Sequence, residues 1–124
     1  MFDKRVLVLS QSPETLDGVR EYLAKFGARS FGITRIAEAR QAAVFADALL
    51  LFADDFAPLQ SLQALSAMAS KPCVVVTEEV RSFESIGDAP ERDFPLVVLQ
   101  RPAWGWMLLE GLRSAFARSR SGRV

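Results

Sequence analysis

Five short apolar runs recur along the sequence, and a stretch with the spacing of an amphipathic helix follows each one. The runs are residues 6–9, 29–34, 48–53, 73–77 and 96–99. Runs this short, bounded by turn residues, are typical of strands that are buried on both faces. Strands that alternate with helices form a parallel sheet covered on both sides. The sequence therefore predicts an α/β fold built as a three-layer sandwich.

The sequence signals for the helices differ in strength. Ser12 is a favourable N-cap, Pro13 suits the first helical position, and Gly27 is expected to end the first helix. The segment 78–93 is the poorest, since it holds six acidic residues and is broken at Gly87. We expect the fourth helix, within this segment, to be short or irregular. Other helices are expected at about 36–45, after residue 58, and at about 103–118.

Right-handed crossovers between five such strands favour the flavodoxin-like strand order 2-1-3-4-5. The run 29–34 fits an edge strand because Gly32 interrupts it. The 124 residues are a usual size for one domain. We expect a single domain over 1–124, with a core at about 5–118 and a basic, frayed tail at 119–124.

Composition excludes several classes of function. Basic and acidic residues number 15 each, and this balance argues against nucleic acid as a partner. Histidine is absent, which removes His-based catalysis and metal ligation. Cys73 is the only cysteine and is expected to be a buried strand thiol in a reducing compartment. No segment approaches the roughly 18 apolar residues of a membrane span, so we expect a cytoplasmic protein without membrane contact.

Polar groups follow four of the strands, at the edge where open parallel sheets carry their chemistry. They are Ser10 and Gln11 after the first strand, Asp54 after the third, Thr77 after the fourth, and Arg101 with Pro102 after the fifth. A plainer interpretation of Asp54 and its neighbour Asp55 is that they only end the strand and cap the next helix.

This pattern resembles the receiver domain of bacterial two-component response regulators over roughly residues 5–118. Asp54 matches the phospho-accepting Asp of receivers, because Pro58 reproduces the Asp-x-x-x-Pro spacing. Thr77 matches the hydroxyl residue after the fourth strand, and Arg101–Pro102 matches a Lys-Pro pair whose peptide bond is commonly cis. The resemblance implies that Thr77, Arg101 and Pro102 lie at the phosphoryl site. A second register remains open, in which Phe52 takes the acceptor position.

The departures from the receiver pattern concern the metal and the switch. The acidic pair that holds Mg²⁺ in receivers falls on Ser10 and Gln11, and Asp55 is expected to point elsewhere. Two unit charges about 4 Å apart interact by about 4 kcal/mol at an effective dielectric of about 20, so this loss weakens a hard-cation site by well over tenfold. We therefore expect no cofactor and no Mg²⁺. Val98 takes the place of the switch aromatic, and Arg101 replaces a lysine.

Trp104 and Trp106 follow Pro102 and can either pack at the start of the last helix or form an aromatic contact surface. The two indoles cannot be buried at the same time as the apolar side of that helix, so at least one of them is expected to be exposed. We expect an interaction surface made of the last helix, the fifth strand and the segment 78–93. Receivers often dimerise there, so a homodimer is included among the expected partners.

Three functions follow from these features. The favoured one is an atypical, non-enzymatic receiver that acts as a protein–protein interaction module without Mg²⁺-dependent phosphorylation. The alternative is a working receiver that accepts phosphate on Asp54 from a histidine kinase. The third is a flavodoxin-like small-molecule binder, which the absence of glycine in the loop after the first strand disfavours.

Overall fold

A computed structural model describes residues 3–68, 71–87, 95–103 and 105–121 of the chain. Strands and helices alternate as predicted. The strands are β1 Arg5–Leu9, β2 Arg29–Ile33, β3 Ala48–Phe52, β4 Cys73–Thr77 and β5 Leu96–Gln100. The α-helices are α1 Pro13–Ala24, α2 Ala39–Ala43, α3 Pro58–Ala67, α4 Val80–Gly87 and α5 Gly105–Ser121.

The five strands form one parallel sheet in the order β2-β1-β3-β4-β5. This confirms the predicted strand order and the predicted edge position of β2. The carboxyl ends of β1, β3, β4 and β5 consequently lie side by side, which places their following loops at one edge of the sheet.

Successive residues of each central strand enter two separate cores. In β1, Leu7 and Leu9 belong to a cluster that includes residues of α2, α3 and α4. Val6 and Val8 belong to the cluster formed with α1 and α5. All four of these side chains are fully buried. The alternation follows from the two-residue period of a strand and confirms burial of the sheet on both faces.

The ends of α1 follow the predicted signals. The Ser12 side chain accepts a hydrogen bond of 3.2 Å from the Thr15 N–H. Gly27 has a φ of 86°, its N–H donates to Ala24, and the Ala28 N–H donates to the Leu23 carbonyl. This is the paired hydrogen bonding of a Schellman motif, in which glycine takes the left-handed position at little steric cost.

Other helix limits differ from the expectations. The predicted helix at 36–45 is a 3₁₀ turn, Ile36–Glu38, followed by five-residue α2, and its exit is closed by i→i−3 bonds from Phe45 and Ala46. The fourth helix is short and ends at Gly87 as predicted, while residues 88–93 lie outside the described parts. The last helix runs to Ser121, three residues beyond the expected end at about 118.

The remaining composition-based expectations concern Cys73 and the membrane. Cys73 is fully buried in β4, and burial raises the pKa of its thiol to about 12, as expected for a structural cysteine. Among the helices of the described ranges, none is long and apolar enough to cross a membrane.

Two helical glycines offer a matched test of the packing of α5. A Cβ on Gly18 meets nothing within 4 Å, whereas one on Gly111 lies 3.2 Å from Leu99 Cδ1 and 3.3 Å from Val74 Cγ1. Both Gly→Ala changes gain about 1 kcal/mol of helix propensity. Overpacking at Gly111 opposes that gain by about 1–3 kcal/mol.

We therefore expect Gly18→Ala to exceed Gly111→Ala in free energy of unfolding by at least about 1 kcal/mol, measured by urea denaturation. Equal stabilisation by the two substitutions would show that α5 does not pack tightly on β4 and β5.

Candidate functional site

A 3₁₀ turn, Ala53–Asp55, follows β3 and carries the two carboxylates at the edge of the sheet. Asp54 lies towards β4 and β5. Its Oδ1 accepts a 2.7 Å hydrogen bond from Thr77 Oγ1, and its Oδ2 accepts one of 2.9 Å from the Glu78 N–H. Arg101 Nη1 lies 3.4 Å from the same Oδ2 and pairs with it. The predicted group of Asp54, Thr77 and Arg101 is thus brought together.

Backbone contacts hold the partners of Asp54 in place. Thr77 is fully buried, and its hydroxyl oxygen also accepts a 3.0 Å hydrogen bond from the Glu79 N–H. The Arg101 N–H donates to the Thr77 carbonyl at 3.2 Å, which joins the ends of β4 and β5. The Arg101–Pro102 peptide bond is cis, as the resemblance implied.

The contacts of Asp54 favour its ionised form. Burial by itself raises the pKa of this carboxyl, but the hydrogen bonds from Thr77 and the Glu78 N–H, with the charge of Arg101, outweigh burial. The net result is a pKa below the ordinary value of 3.8. The side chain of Asp54 is 25% exposed and that of Arg101 48% exposed, so solvent screens their ion pair.

Asp55 lies towards β1, which contradicts the expectation that it points elsewhere. Its Oδ2 accepts a 2.6 Å hydrogen bond from Ser10 Oγ and a 3.0 Å bond from the Gln11 N–H. Ser10 is fully buried, and its oxygen accepts from the Ser12 N–H at 3.1 Å. Consecutive side chains in a 3₁₀ helix diverge by about 120°, so two adjacent aspartates reach different strands.

Neither aspartate caps the following helix, so that part of the plainer interpretation is wrong. Helix α3 begins after Ala57, whose N–H donates a 3.0 Å hydrogen bond to Gln60 Oε1. The two carboxylates accept hydrogen bonds from the loops after β1 and β4 instead.

A cleft of about 450 Å³ opens beside the two aspartates, between the edge of the sheet and helices α1 and α5. Phe52, the acceptor position in the second register, lines this cleft and packs with the α1–α5 core. The carboxylate that meets Thr77 and Arg101 belongs to Asp54, two residues further along.

The oxygen ligands at this edge are few. Within the described ranges, no three or more Asp, Glu, Cys or His side chains cluster so as to hold a metal ion. Asp54, Asp55 and Glu14 line the cleft with carboxylates, while Ser10, directly after β1, supplies a hydroxyl.

The described residues include part of the aromatic surface predicted near α5. Trp106 is 61% exposed, which agrees with the expectation that one indole is exposed. Val98 is half-buried in β5 and packs against the core on the α3–α4 side. Trp104 lies outside the described residues.

The contribution of Asp55 was missed from sequence, although one signal was present. Asp54 and Asp55 lie four and three residues before Pro58, which begins a helix. The short connection leaves room only for a tight turn, and a tight turn separates neighbouring side chains in direction.

Asp54 should titrate below the ordinary range, and its donors should be the cause. Thr77→Val removes the hydroxyl while keeping the side-chain shape, so we expect the pKa of Asp54 to rise, as measured by carboxyl-detected NMR titration. Thr34→Val, at an exposed position, is the matched control and should leave that pKa unchanged.

The same contacts set a pH dependence. Because the folded-state pKa of Asp54 is lowered, its stabilising contribution is present above about pH 4 and is lost as pH falls through the folded value. The stability difference between wild type and Asp54→Asn should shrink accordingly on acidification. A difference that grows on acidification would contradict this assignment.

Comparisons with known proteins agree with this geometry at the level of the fold. No protein-family model matches the sequence, and no curated protein matches it. Among solved structures, a response regulator receiver protein from Sinorhizobium medicae superposes with a TM-score of 0.72 at 13% identity, covering 94% of this chain and 96% of its own.

A CheY-like receiver domain protein from Methanospirillum hungatei gives a TM-score of 0.74 at 15% identity, with 95% and 97% of the two chains covered. Chemotaxis response regulator CheY4 of Vibrio cholerae gives a TM-score of 0.71 at 17% identity, and the superposition covers 92% of this chain and 99% of CheY4. Similarity of this extent at such low identity concerns the fold, so the chain has the flavodoxin-like fold of response regulator receiver domains.

Proposed function

We propose that this chain is an atypical receiver domain of two-component signalling that acts by binding a protein partner, without Mg²⁺-dependent phosphorylation. In this role it catalyses no reaction of its own and belongs to the cytoplasm, where its single thiol would stay reduced.

The observation that carries the proposal is the hydrogen bonding at the end of β1. Ser10 and Gln11 stand where receivers have two carboxylates, and both donate to Asp55. Magnesium requires several hard oxygen ligands in octahedral geometry. With no carboxylate on β1 and Asp55 already accepting two hydrogen bonds, the donor set does not fit a magnesium site of the receiver type.

The surroundings of Asp54 support the same proposal. Its two oxygens already accept from Thr77, the Glu78 N–H and Arg101. A phosphoryl group on Oδ2 would take the place of the present contacts with the Glu78 N–H and Arg101. Arg101 carries a broad planar guanidinium in place of the compact ammonium of lysine. The geometry of an ion pair with a phosphoryl oxygen would therefore differ from that in receivers.

We place the partner surface on α5 and β5. Trp106 exposes most of its side chain at the start of α5, and a large exposed aromatic is a frequent anchor of protein interfaces. A second copy of the chain is the partner that we propose for this surface, with a histidine kinase or another signalling protein as further candidates.

The alternative function is phosphorylation on Asp54 by a histidine kinase. It is favoured by one observation: the side chains of Thr77 and Arg101 each lie within hydrogen-bonding distance of Asp54 at the edge of the sheet. Asp55 would then have to leave Ser10 and provide the missing carboxylate.

A titration with Mg²⁺ and beryllofluoride, a mimic of a phosphoryl group on aspartate, separates the two functions. We expect wild type to show no saturable change in tryptophan fluorescence or amide NMR shifts, like Asp54→Asn. Ser10→Asp combined with Gln11→Asp restores two carboxylates and should gain a saturable Mg²⁺ response, at least about tenfold tighter than wild type.

A saturable wild-type response that Asp54→Asn abolishes would support the working receiver and reject the proposal. The double variant Ser10→Asp with Gln11→Asp could also show no Mg²⁺ response although its circular dichroism matches that of wild type. This result would show that the missing carboxylates after β1 do not explain the lack of Mg²⁺ binding.

The α5–β5 surface is tested by self-association. We expect Trp106→Ala to weaken the dimer at least about tenfold in sedimentation equilibrium, because truncating a buried interface aromatic is costly. Phe45→Ala is the matched control: Phe45 is 62% exposed, follows α2 on the other side of the sheet, and should leave association unchanged. A monomeric wild type, or equal effects of the two substitutions, would contradict this surface.

A further inference from the structure

A second pocket, of about 510 Å³, lies on the other side of Asp54, between α3 and α4. Its apolar wall includes Phe56, Leu62 and Phe83. Phe83 is largely buried, while Phe56 and Leu62 are half-buried. A volume of this size falls within the range of about 300–1,000 Å³ that is usual for small-molecule sites.

Ser61 gives this pocket an unusual polar group. The residue lines the pocket from the first half of α3 and is fully buried. Its hydroxyl finds no hydrogen-bond partner among the described residues. Buried hydroxyls are normally hydrogen-bonded, and this one can either donate or accept. A ligand with a polar group beside Ser61 would supply the missing partner.

The charged residues of the pocket favour a positively charged ligand. Asp54, Glu78 and Glu79 line it, and no Lys or Arg is among the described residues of its lining. Asp54 is paired with Arg101, which lies outside the pocket. Neither glutamate forms an ion pair with another described residue. The pocket is therefore electronegative and disfavours anions.

We propose that the α3–α4 pocket binds a guanidinium or amidinium group that carries an apolar substituent. A planar guanidinium is weakly hydrated and packs against aromatic rings, here those of Phe56 and Phe83. Its several N–H donors can meet the Ser61 hydroxyl and the carboxylates of Glu78 and Glu79 together. A compact ammonium has neither the flat face nor the spread of donors.

This site does not require the proposed signalling function. It involves neither the end of β1 nor the surface of α5, and although the charge of Asp54 contributes to the pocket, Ser61, Glu78 and Glu79 line it whether or not Asp54 accepts phosphate. Guanidinium can come from a free compound or from an arginine in another protein, and both sources present the same group to the pocket.

The test is an amide NMR titration of the whole chain with benzylguanidine and, separately, with its neutral isostere benzylurea. We expect benzylguanidine to shift the amides of Ser61, Leu62, Ser82 and Phe83 saturably, with benzylurea at least about tenfold weaker because it lacks the charge. A second pair, acetyl-Leu-Arg-Leu-amide and its citrulline counterpart, distinguishes the two sources: tighter binding of the arginine peptide than of benzylguanidine assigns the site to a protein arginine.

Variants locate the binding groups. Ser61→Ala should weaken benzylguanidine about threefold to tenfold without lowering stability. Glu79→Gln should weaken it about twofold to fivefold, because the carboxylate is exposed. Glu84→Gln is the matched control on α4, since Glu84 is exposed but does not line the pocket, and should bind like wild type.

Three results would overturn the proposal. They are shifts spread over the whole surface, equal binding of benzylguanidine and benzylurea, or unchanged binding in both Ser61→Ala and Glu79→Gln. The beryllofluoride experiment does not bear on any of these outcomes, so this site and the signalling function can fail separately.

Discussion

The 3₁₀ turn after β3 is the feature on which the carboxyl edge of the sheet depends. It sends Asp54 towards β4 and β5 and Asp55 towards β1, so one short turn joins four of the five strand ends. Asp54 is held as a carboxylate by three donors, from Thr77 and Glu78 at the end of β4 and from Arg101 after β5, and its pKa is lowered accordingly. Because Thr77 is fully buried and the Arg101 N–H donates to the Thr77 carbonyl, any ligand must compete with contacts already made.

The turn can be held in this way because the strand before it is almost wholly buried. Ala48 to Leu51 are inaccessible to solvent and pack alternately into the two cores. A shift of β3 by one residue would exchange the two sets of side chains and expose neither face to water, but it would move both aspartates away from their donors. Core packing and the hydrogen bonds at the edge therefore fix the same register.

The fold and half of the site could be predicted from sequence, because both rest on local signals. Ser12, Gly27 and the run of leucines before Asp54 act through backbone geometry and burial, which short segments encode directly. The direction of Asp55 could not be predicted, since it depends on whether the chain leaves β3 as a strand or as a 3₁₀ turn. Helix α2 was overestimated for a similar reason: its alanines favour helix, but closing i→i−3 bonds and the return to β3 at Asp47 shorten it.

Asp54 lines both the cleft beside α1 and α5 and the pocket between α3 and α4. A cation in the second pocket stabilises the ionised form of Asp54, and by linkage the ionised form favours that cation to the same extent. Neutralising Asp54 by any chemistry would thus weaken cation binding and loosen the loop at Thr77 and Glu78, which forms one wall of the pocket. The two sites share a single charge, and this coupling requires no movement of the sheet.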